Sequence, residues 1–197
     1  MSDLKAKAEP VTVALSAKFA NLKANRALQT YLEDRARGSS FFGSDSFADS
    51  IGWFMSKRAN DAVNQWLMNA RLSNLAGVSP SQTGYVSITR ERIDHIRSHR
   101  QNQTVGIDSV VDLFNQLFVE GGAAFAQNDS TGQRKSGYEH QVIMFRAGYK
   151  SKQKDVSGQS PAVVLSYKTE PLPHLAIETG YWMRADKADA LKNGALK

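Results

Sequence analysis

The chain has 197 residues, with 25 Lys+Arg against 19 Asp+Glu and no cysteine, and its formal net charge at pH 7 is +6. The absence of cysteine excludes disulfide scaffolds, thiol nucleophiles, Cys-ligated zinc sites and iron–sulfur clusters. No run of about 18 apolar residues occurs, and the opening residues MSDLK lack the apolar segment of a secretory signal. The sequence therefore predicts neither a membrane span nor secretion.

Residues 13–37 and 47–75 carry two helical patterns. Apolar side chains recur there at the spacing of an amphipathic helix, which buries one face and exposes the other. The stripe predicted to be buried in the second pattern is Phe47, Ile51, Phe54, Val63, Trp66, Leu67 and Ala70. Gly77 and Pro80 end this pattern, so residues 1–80 are predicted to form a helical packing or docking region.

The second half is predicted to begin with a β-like segment at residues 85–88, followed by two helices. Thr89 is the predicted N-cap of a helix at about residues 90–100. Asp108 is the predicted N-cap of another helix, which ends at the glycine pair of residues 121–122.

Short β-type runs follow the second of these helices. The predicted strands are residues 123–127, 141–149, 162–168 and 175–182. Because no helix separates them, they are expected to pair antiparallel. The predicted fold class is α+β, with a helical N-terminal region followed by a domain at residues 85–197. In that domain, two helices pack on a four-stranded antiparallel sheet.

The positive charge is shared about equally between the two sides of Tyr85, so it does not form a polybasic tail. Local clusters occur instead, at Arg90, Arg92, Arg97 and Arg100 and at Lys150, Lys152 and Lys154. Solvated surface and phosphate-binding surface both explain such clusters. The candidate nucleic-acid contacts are Arg92, Arg97, Arg100, Lys150 and Lys152.

His95 and His99 lie four residues apart, so the predicted helix places them on one face together with Arg92. A zinc site of the His-x-x-x-His type needs a glutamate directly after the first histidine, whereas Ile96 follows here. We therefore expect no metal and no other cofactor.

Metal-free RNA cleavage fits these residue types better. A base removes the proton of the ribose 2′-OH, an acid protonates the leaving 5′-oxygen, and cations hold the pentavalent phosphate. Histidine suits the first two roles because its pKa lies near neutrality, and arginine matches phosphate oxygens. The candidate catalytic residues are His95, His99, Arg146, Thr179 and Tyr181.

Strand alternation over residues 175–182 predicts that Leu175, Ile177, Thr179 and Tyr181 share one face. His174, Ala176, Glu178 and Gly180 would then share the other. Ordinary β-propensity also explains Thr179 and Tyr181, so their functional role is one of two interpretations.

Five segments of the second half carry a resemblance to a known family: YVSITRERIDHIRSHRQ, DSVVDLFNQLFVEGG, HQVIMFRAGYK, PAVVLSYKTE and LAIETGYWMRADKADALKNG. Over residues about 85–194 the chain resembles the phage-encoded branch of the barnase–EndoU–colicin–RelE nuclease superfamily. In that family a helix carrying histidine precedes a four-stranded sheet. The last strand often carries a hydroxyl residue and an aromatic residue near its end.

The resemblance implies a metal-independent ribonuclease of the host cytoplasm, packaged in the virion in one version of this hypothesis. It points to His95 or His99 as general acid or base and to Thr179 and Tyr181 as phosphate or base contacts. The N-terminal 80 residues have no counterpart in the nuclease unit. By analogy they are a delivery, virion-docking or inhibitory segment, whose partners would be virion or host proteins.

Three functions remain open at this point. The first is an endoribonuclease of phage or toxin type that acts on RNA. The second is a non-catalytic nucleic-acid-binding or virion-associated protein with a nuclease-like fold, and the third is a helical protein acting on a host factor. The enzyme predicts that His95, His99, Arg146 and Tyr181 converge on one cleft, whereas the binding protein predicts separate surfaces.

Overall fold

A computed structural model describes residues 2–38, 46–69, 84–98, 105–127, 141–168, 170–171 and 174–193. The helices in these ranges are α1 (Ser2–Ala36), α2 (Lys57–Asn69), α3 (Arg90–Ser98), α4 (Ile107–Phe114) and α5 (Ala185–Asn193). The strands are β1 (Ser50–Phe54), β2 (Tyr85–Thr89), β3 (Ala124–Gln127), β4 (Gln141–Phe145), β5 (Gln159–Lys168) and β6 (His174–Arg184). Short helical turns occupy Phe47–Asp49, Asn115–Val119 and Lys154–Val156.

These strands form one mixed sheet in the order β1-β2-β6-β5-β4-β3. Successive strands from β3 to β6 pair antiparallel, β2 joins β6 in parallel, and β1 pairs antiparallel with β2. The α+β class is therefore confirmed. The predicted four-stranded antiparallel sheet is wrong, because the sheet has six strands and one parallel pair.

The helix predicted over residues 47–75 begins only at Lys57. The spacing of Phe47, Ile51 and Phe54 suits a helix, but the segment forms a 3₁₀ turn followed by β1. In β1 burial alternates, with Ile51 and Trp53 inside. A short apolar run of this kind has no reliable period, and pairing with β2 decides its conformation.

Two hydrophobic clusters define the two faces of the sheet. On the helical face, α1 to α4 pack against strand residues that include Trp53, Val86 and Leu165. On the second face, Ala188 of α5 packs with Phe145 and Met183. The sequence pattern does not predict α5, which continues directly from β6.

Helix α1 is fixed to the edge strand β1 by a buried asparagine. Asn21 is 2% exposed, its amide nitrogen donates to the carbonyl oxygens of Phe54 and Phe118, and its side-chain oxygen accepts from the Phe54 amide. Asn21 thus satisfies backbone groups on a strand edge that would otherwise be buried without partners. The N-terminal segment and the C-terminal half consequently share one core cluster.

Helix α4 begins two residues earlier than predicted, and its cap comes from a distant loop. Gly106 is the N-cap residue and provides no side-chain hydrogen bond. The carboxylate of Asp155 accepts from the Gly106 amide and the Ser109 hydroxyl instead. The predicted N-cap, Asp108, lies in the first turn of the helix.

In the described ranges, no helix is both long and apolar enough to cross a bilayer.

Candidate functional site

An irregularity in strand β6 sets the direction of its side chains. Val164 of β5 pairs with Thr179, but its neighbour Leu165 pairs with Ile177, so Glu178 is an extra residue without a cross-strand partner. Ile177 therefore lies on the helical face, whereas Thr179 lies on the second face with Val164. The predicted alternation holds as far as Glu178 and is wrong from Thr179 onward, because the bulge shifts every later side chain by one position.

The second face carries a groove of about 620 Å³ where β2, β5 and β6 meet. The groove is walled on one side by the 3₁₀ turn Phe47–Asp49 and is reached by the first turn of α3. The residues that line it are Ser46, Phe47, Ala48, Ser87, Thr89, Arg92, Lys168, Glu170, Pro171, His174, Ala176, Ile177 and Glu178. Several polar groups converge on this concave site, which is the usual setting for a binding or catalytic site.

Glu178 is the centre of the charge cluster in this groove. Its carboxylate lies 2.9 Å from Nζ of Lys168 and 3.5 Å from a guanidinium nitrogen of Arg92, and it accepts a hydrogen bond from the Ser166 hydroxyl. Burial opposes ionisation of Glu178. The hydrogen bonds from Ser166 and Lys168 and the charges of Lys168 and Arg92 outweigh it, so the pKa of Glu178 falls below its ordinary value of 4.5. Glu178 is therefore a carboxylate at neutral pH, and its side chain remains 19% exposed.

His174 brings an imidazole to the same groove. It begins strand β6, pairs across from Lys168 and is 4% exposed. Its ring lies 4.6 Å from the ring of Phe47, at an angle of 53°. The groove is thus lined by an aromatic ring, a carboxylate, an imidazole and two cations, of Phe47, Glu178, His174, Arg92 and Lys168.

Ser87 and Thr89 add hydroxyl groups along the β2 side of the groove. They lie on the second face because Val86 and Ile88 belong to the core of the helical face. The groove is lined by two cations, Arg92 and Lys168, and by two carboxylates, Glu170 and Glu178, so their charges balance. The groove can therefore hold an anionic group only where that group competes with these carboxylates for the two cations.

Among the predicted nucleic-acid contacts whose positions the structure describes, Arg92 alone lines the groove. His95 and Arg97 are part-buried on α3 and do not line it. His99 and Arg100 lie outside the described residues.

Arg146 lies on the helical face, where a guanidinium nitrogen donates to the side chain of Gln116 and the guanidinium stacks 5.2 Å from the Tyr149 ring centroid. Tyr181 packs on the second face against the smaller cluster. The structure thus places Arg146 and Tyr181 on opposite sides of the sheet.

The exposed Lys150 and Lys152 lie in the loop that precedes β5, whereas Lys168 ends that strand. A ten-residue strand is about 30 Å long, so these two lysines are remote from the groove.

The five residues predicted to be catalytic are not gathered into one site, as far as their positions are described.

The sequence patterns do not predict Lys168, His174 and Phe47 as site residues, and they indicate Glu178 only as part of a strand. One signal was available, since strand alternation placed His174 and Glu178 on a common face. The contributions of Phe47 and Lys168 depend on the 3₁₀ turn and on the pairing of β5 with β6, which the local sequence does not reveal.

No group of three or more His, Cys, Asp or Glu side chains positioned to hold a metal ion occurs in the described part of the chain. A scan against protein-family models, a search of curated proteins and a search of solved structures gave no match to this chain. Function must therefore be inferred from the groove itself.

Proposed function

We propose that the protein is a metal-independent endoribonuclease of phage or toxin type and that the groove around Glu178 is its active site. The observation that supports this proposal is an ionised carboxylate between two cations, in a groove that an imidazole also lines. Metal-free cleavage of RNA requires these groups: a base, an acid and positive charge for the phosphate.

The chemistry assigns one role to each side chain. The Glu178 carboxylate takes the proton of the ribose 2′-OH, and the 2′-oxygen attacks phosphorus. The bond from phosphorus to the 5′-oxygen then breaks, and protonated His174 donates a proton to that oxygen. Lys168 and Arg92 exchange their contacts with Glu178 for contacts with the phosphate as its charge increases. The products are a 2′,3′-cyclic phosphate and a 5′-hydroxyl.

The first experiment measures cleavage of end-labelled single-stranded RNA by the full-length protein in EDTA. We expect products that end in 2′,3′-cyclic phosphate, and we expect Glu178→Gln to lower the rate by roughly 10²- to 10⁴-fold, the usual contribution of a general base. The matched control is Glu120→Gln, the same chemical change at an exposed residue elsewhere, and it should cleave like wild type. No cleavage by wild type, or equal rates for wild type and Glu178→Gln, contradicts the proposal.

The histidines predicted from the sequence are tested in the same assay. His174→Ala should lower the rate strongly, whereas the double variant His95→Ala, His99→Ala should retain most of it. The opposite result would assign the acid and base to His95 and His99 rather than to the groove.

A non-catalytic role in nucleic-acid binding or in the virion is the second candidate. It is favoured by the positions of Arg146 and Tyr181 on opposite faces of the sheet. This role predicts binding to RNA, or stable co-assembly with phage particles, in the absence of turnover. The EDTA assay separates the two functions because only the enzyme converts RNA to product.

A further inference from the structure

Four aromatic rings form a continuous row on the second face of the sheet, and the row ends in the groove. The ring centroids of Phe54 and Tyr85 are 5.5 Å apart, those of Tyr85 and Phe47 are 6.3 Å apart, and those of Phe47 and His174 are 4.6 Å apart. Phe54, Tyr85 and Phe47 are each only partly buried, so none of the three residues is enclosed in the core. We call these four residues the aromatic row.

A glycine allows the row to form. Gly52 lies within β1 beside Tyr85, and a Cβ atom at Gly52 would lie 2.0 Å from the Tyr85 hydroxyl oxygen and 2.2 Å from the adjoining ring carbon. Only a residue without a side chain lets the Tyr85 ring extend across β1. Glycine weakens a strand interior, and its presence there often marks a close approach of this kind.

The row leads directly to the charged end of the groove. Phe47 and His174 line the groove together with Arg92 and Lys168, and the hydroxyls of Ser87 and Thr89 lie on the adjoining strand. A ligand that follows the row would therefore place planar apolar groups on the rings and a negative group at the two cations. Single-stranded nucleic acid has this combination of features, since its bases stack on aromatic side chains while its phosphates meet cations.

We propose that the aromatic row is a stacking track for the bases of single-stranded RNA and that it selects single strands over duplexes. This inference rests on the proposed function, because it extends the same site and names its substrate. Bases in a duplex are already stacked on one another and cannot lie on protein rings, whereas the splayed bases of a single strand can. Phe47 belongs to the row and also lines the groove, so its ring is the main stacking surface for a base.

The experiment measures binding of a fluorescent 2′-O-methyl RNA oligonucleotide, which keeps its bases and phosphates but cannot be cleaved through the 2′-oxygen. Wild type should bind the single strand at least about tenfold more tightly than a duplex of the same sequence. Phe47→Leu should weaken binding of the single strand by roughly fivefold to a hundredfold, the range measured for loss of one stacked base. Phe47→Tyr, which keeps the ring, should bind like wild type.

Phe19→Leu is the matched control, because Phe19 is 65% exposed on α1 and lies outside the row. It should leave binding unchanged. An oligonucleotide with abasic sites should bind equally to wild type and to Phe47→Leu, because it has no base to stack.

Two outcomes separate this inference from the proposed function. If RNA is cleaved but Phe47→Leu binds the single strand as tightly as wild type, or if duplex and single strand bind equally, the stacking track is wrong and the nuclease proposal stands. If wild type cleaves no RNA while binding depends on the Phe47 ring, the nuclease proposal is wrong and the stacking track stands.

Discussion

The ammonium nitrogen of Lys168 lies 2.9 Å from a carboxylate oxygen of Glu178, although the two residues are not cross-strand partners. Lys168 pairs with His174, and Glu178 is the bulged residue four positions further along β6. From this bulge the Glu178 side chain reaches back to Ser166 and Lys168 on β5. Bulges are over-represented beside active sites.

Glu178 should make stability depend on pH in a predictable direction. The pKa of Glu178 is lower in the folded protein than its ordinary value of 4.5. The stabilisation is therefore fully present above about pH 4.5 and is lost as the pH falls through the lowered pKa of the folded state. We expect Glu178→Gln to have a lower free energy of unfolding than wild type at pH 7, and we expect this difference to shrink as the pH falls below about 4.5.

Urea denaturation at a series of pH values measures this difference. Glu120→Gln is again the control and should follow wild type throughout. A constant difference between wild type and Glu178→Gln at all pH values would show that the effect comes from packing, not from the charge of Glu178.

The bulge also shows why the site could be predicted only in part. The period of two residues correctly gave a strand at residues 175–182 and placed Leu175 and Ile177 in the core. The same period wrongly placed Thr179 and Tyr181 on the face of Leu175 and Ile177. The error arises because a bulge depends on the partner strand and leaves no local pattern in the sequence. Hydrophobic periodicity reports which segments are strands, but pairing between distant segments decides which side chains meet.

The same physical reason explains the errors in the first half of the chain. Helix α2 was predicted because its apolar spacing extends over many residues, whereas the five residues of β1 are too few to distinguish a helix from a strand. Their conformation is fixed by β2, more than 30 residues away in sequence. The groove depends on that pairing, since it positions the turn that carries Phe47.

RNA binding should depend only weakly on salt. Two cations, Arg92 and Lys168, line the groove, and single-stranded nucleic acid gives a slope of about −0.7 per neutralised phosphate. We therefore expect the logarithm of the association constant to fall with the logarithm of salt concentration with a slope near −1.4. Titrations of the 2′-O-methyl oligonucleotide between low and physiological salt measure this slope.

Two variants identify the charges that produce the salt dependence. Lys168→Gln should make the slope shallower by about 0.7, whereas the double variant Lys150→Gln, Lys152→Gln should leave it unchanged because those lysines are remote from the groove. A steep slope that the double variant reduces would instead support the nucleic-acid contacts predicted from the sequence.

Gly52→Ala should disturb the aromatic row through Tyr85. The new methyl group would overlap the Tyr85 ring, so the ring must move or the strand pair must separate, and overpacking of this kind typically lowers stability by about 1–3 kcal/mol. Single-strand binding should also weaken, since Tyr85 would leave the row. Thermal or urea denaturation and the oligonucleotide titration measure the two effects.

A double-mutant cycle tests whether Tyr85 is the cause. In a Tyr85→Ala background the space beside Gly52 is empty, so Gly52→Ala should be much less destabilising there than in wild type. Equal destabilisation in both backgrounds would show that the glycine is needed by the backbone of β1 and not by the Tyr85 ring.

Asn21→Ala should separate α1 from β1. The substitution leaves the Phe54 amide and the Phe54 and Phe118 carbonyls without the partner that Asn21 provides. Each buried backbone group that loses its partner costs about 1–3 kcal/mol, so we expect a loss of at least about 3 kcal/mol in the free energy of unfolding. Because β1 follows the turn that carries Phe47, the affinity for single-stranded RNA should fall as well.

Asn193→Ala, at the exposed end of α5, is the control. A loss of stability no larger than in this control would mean that α1 is held to the sheet by its apolar contacts alone.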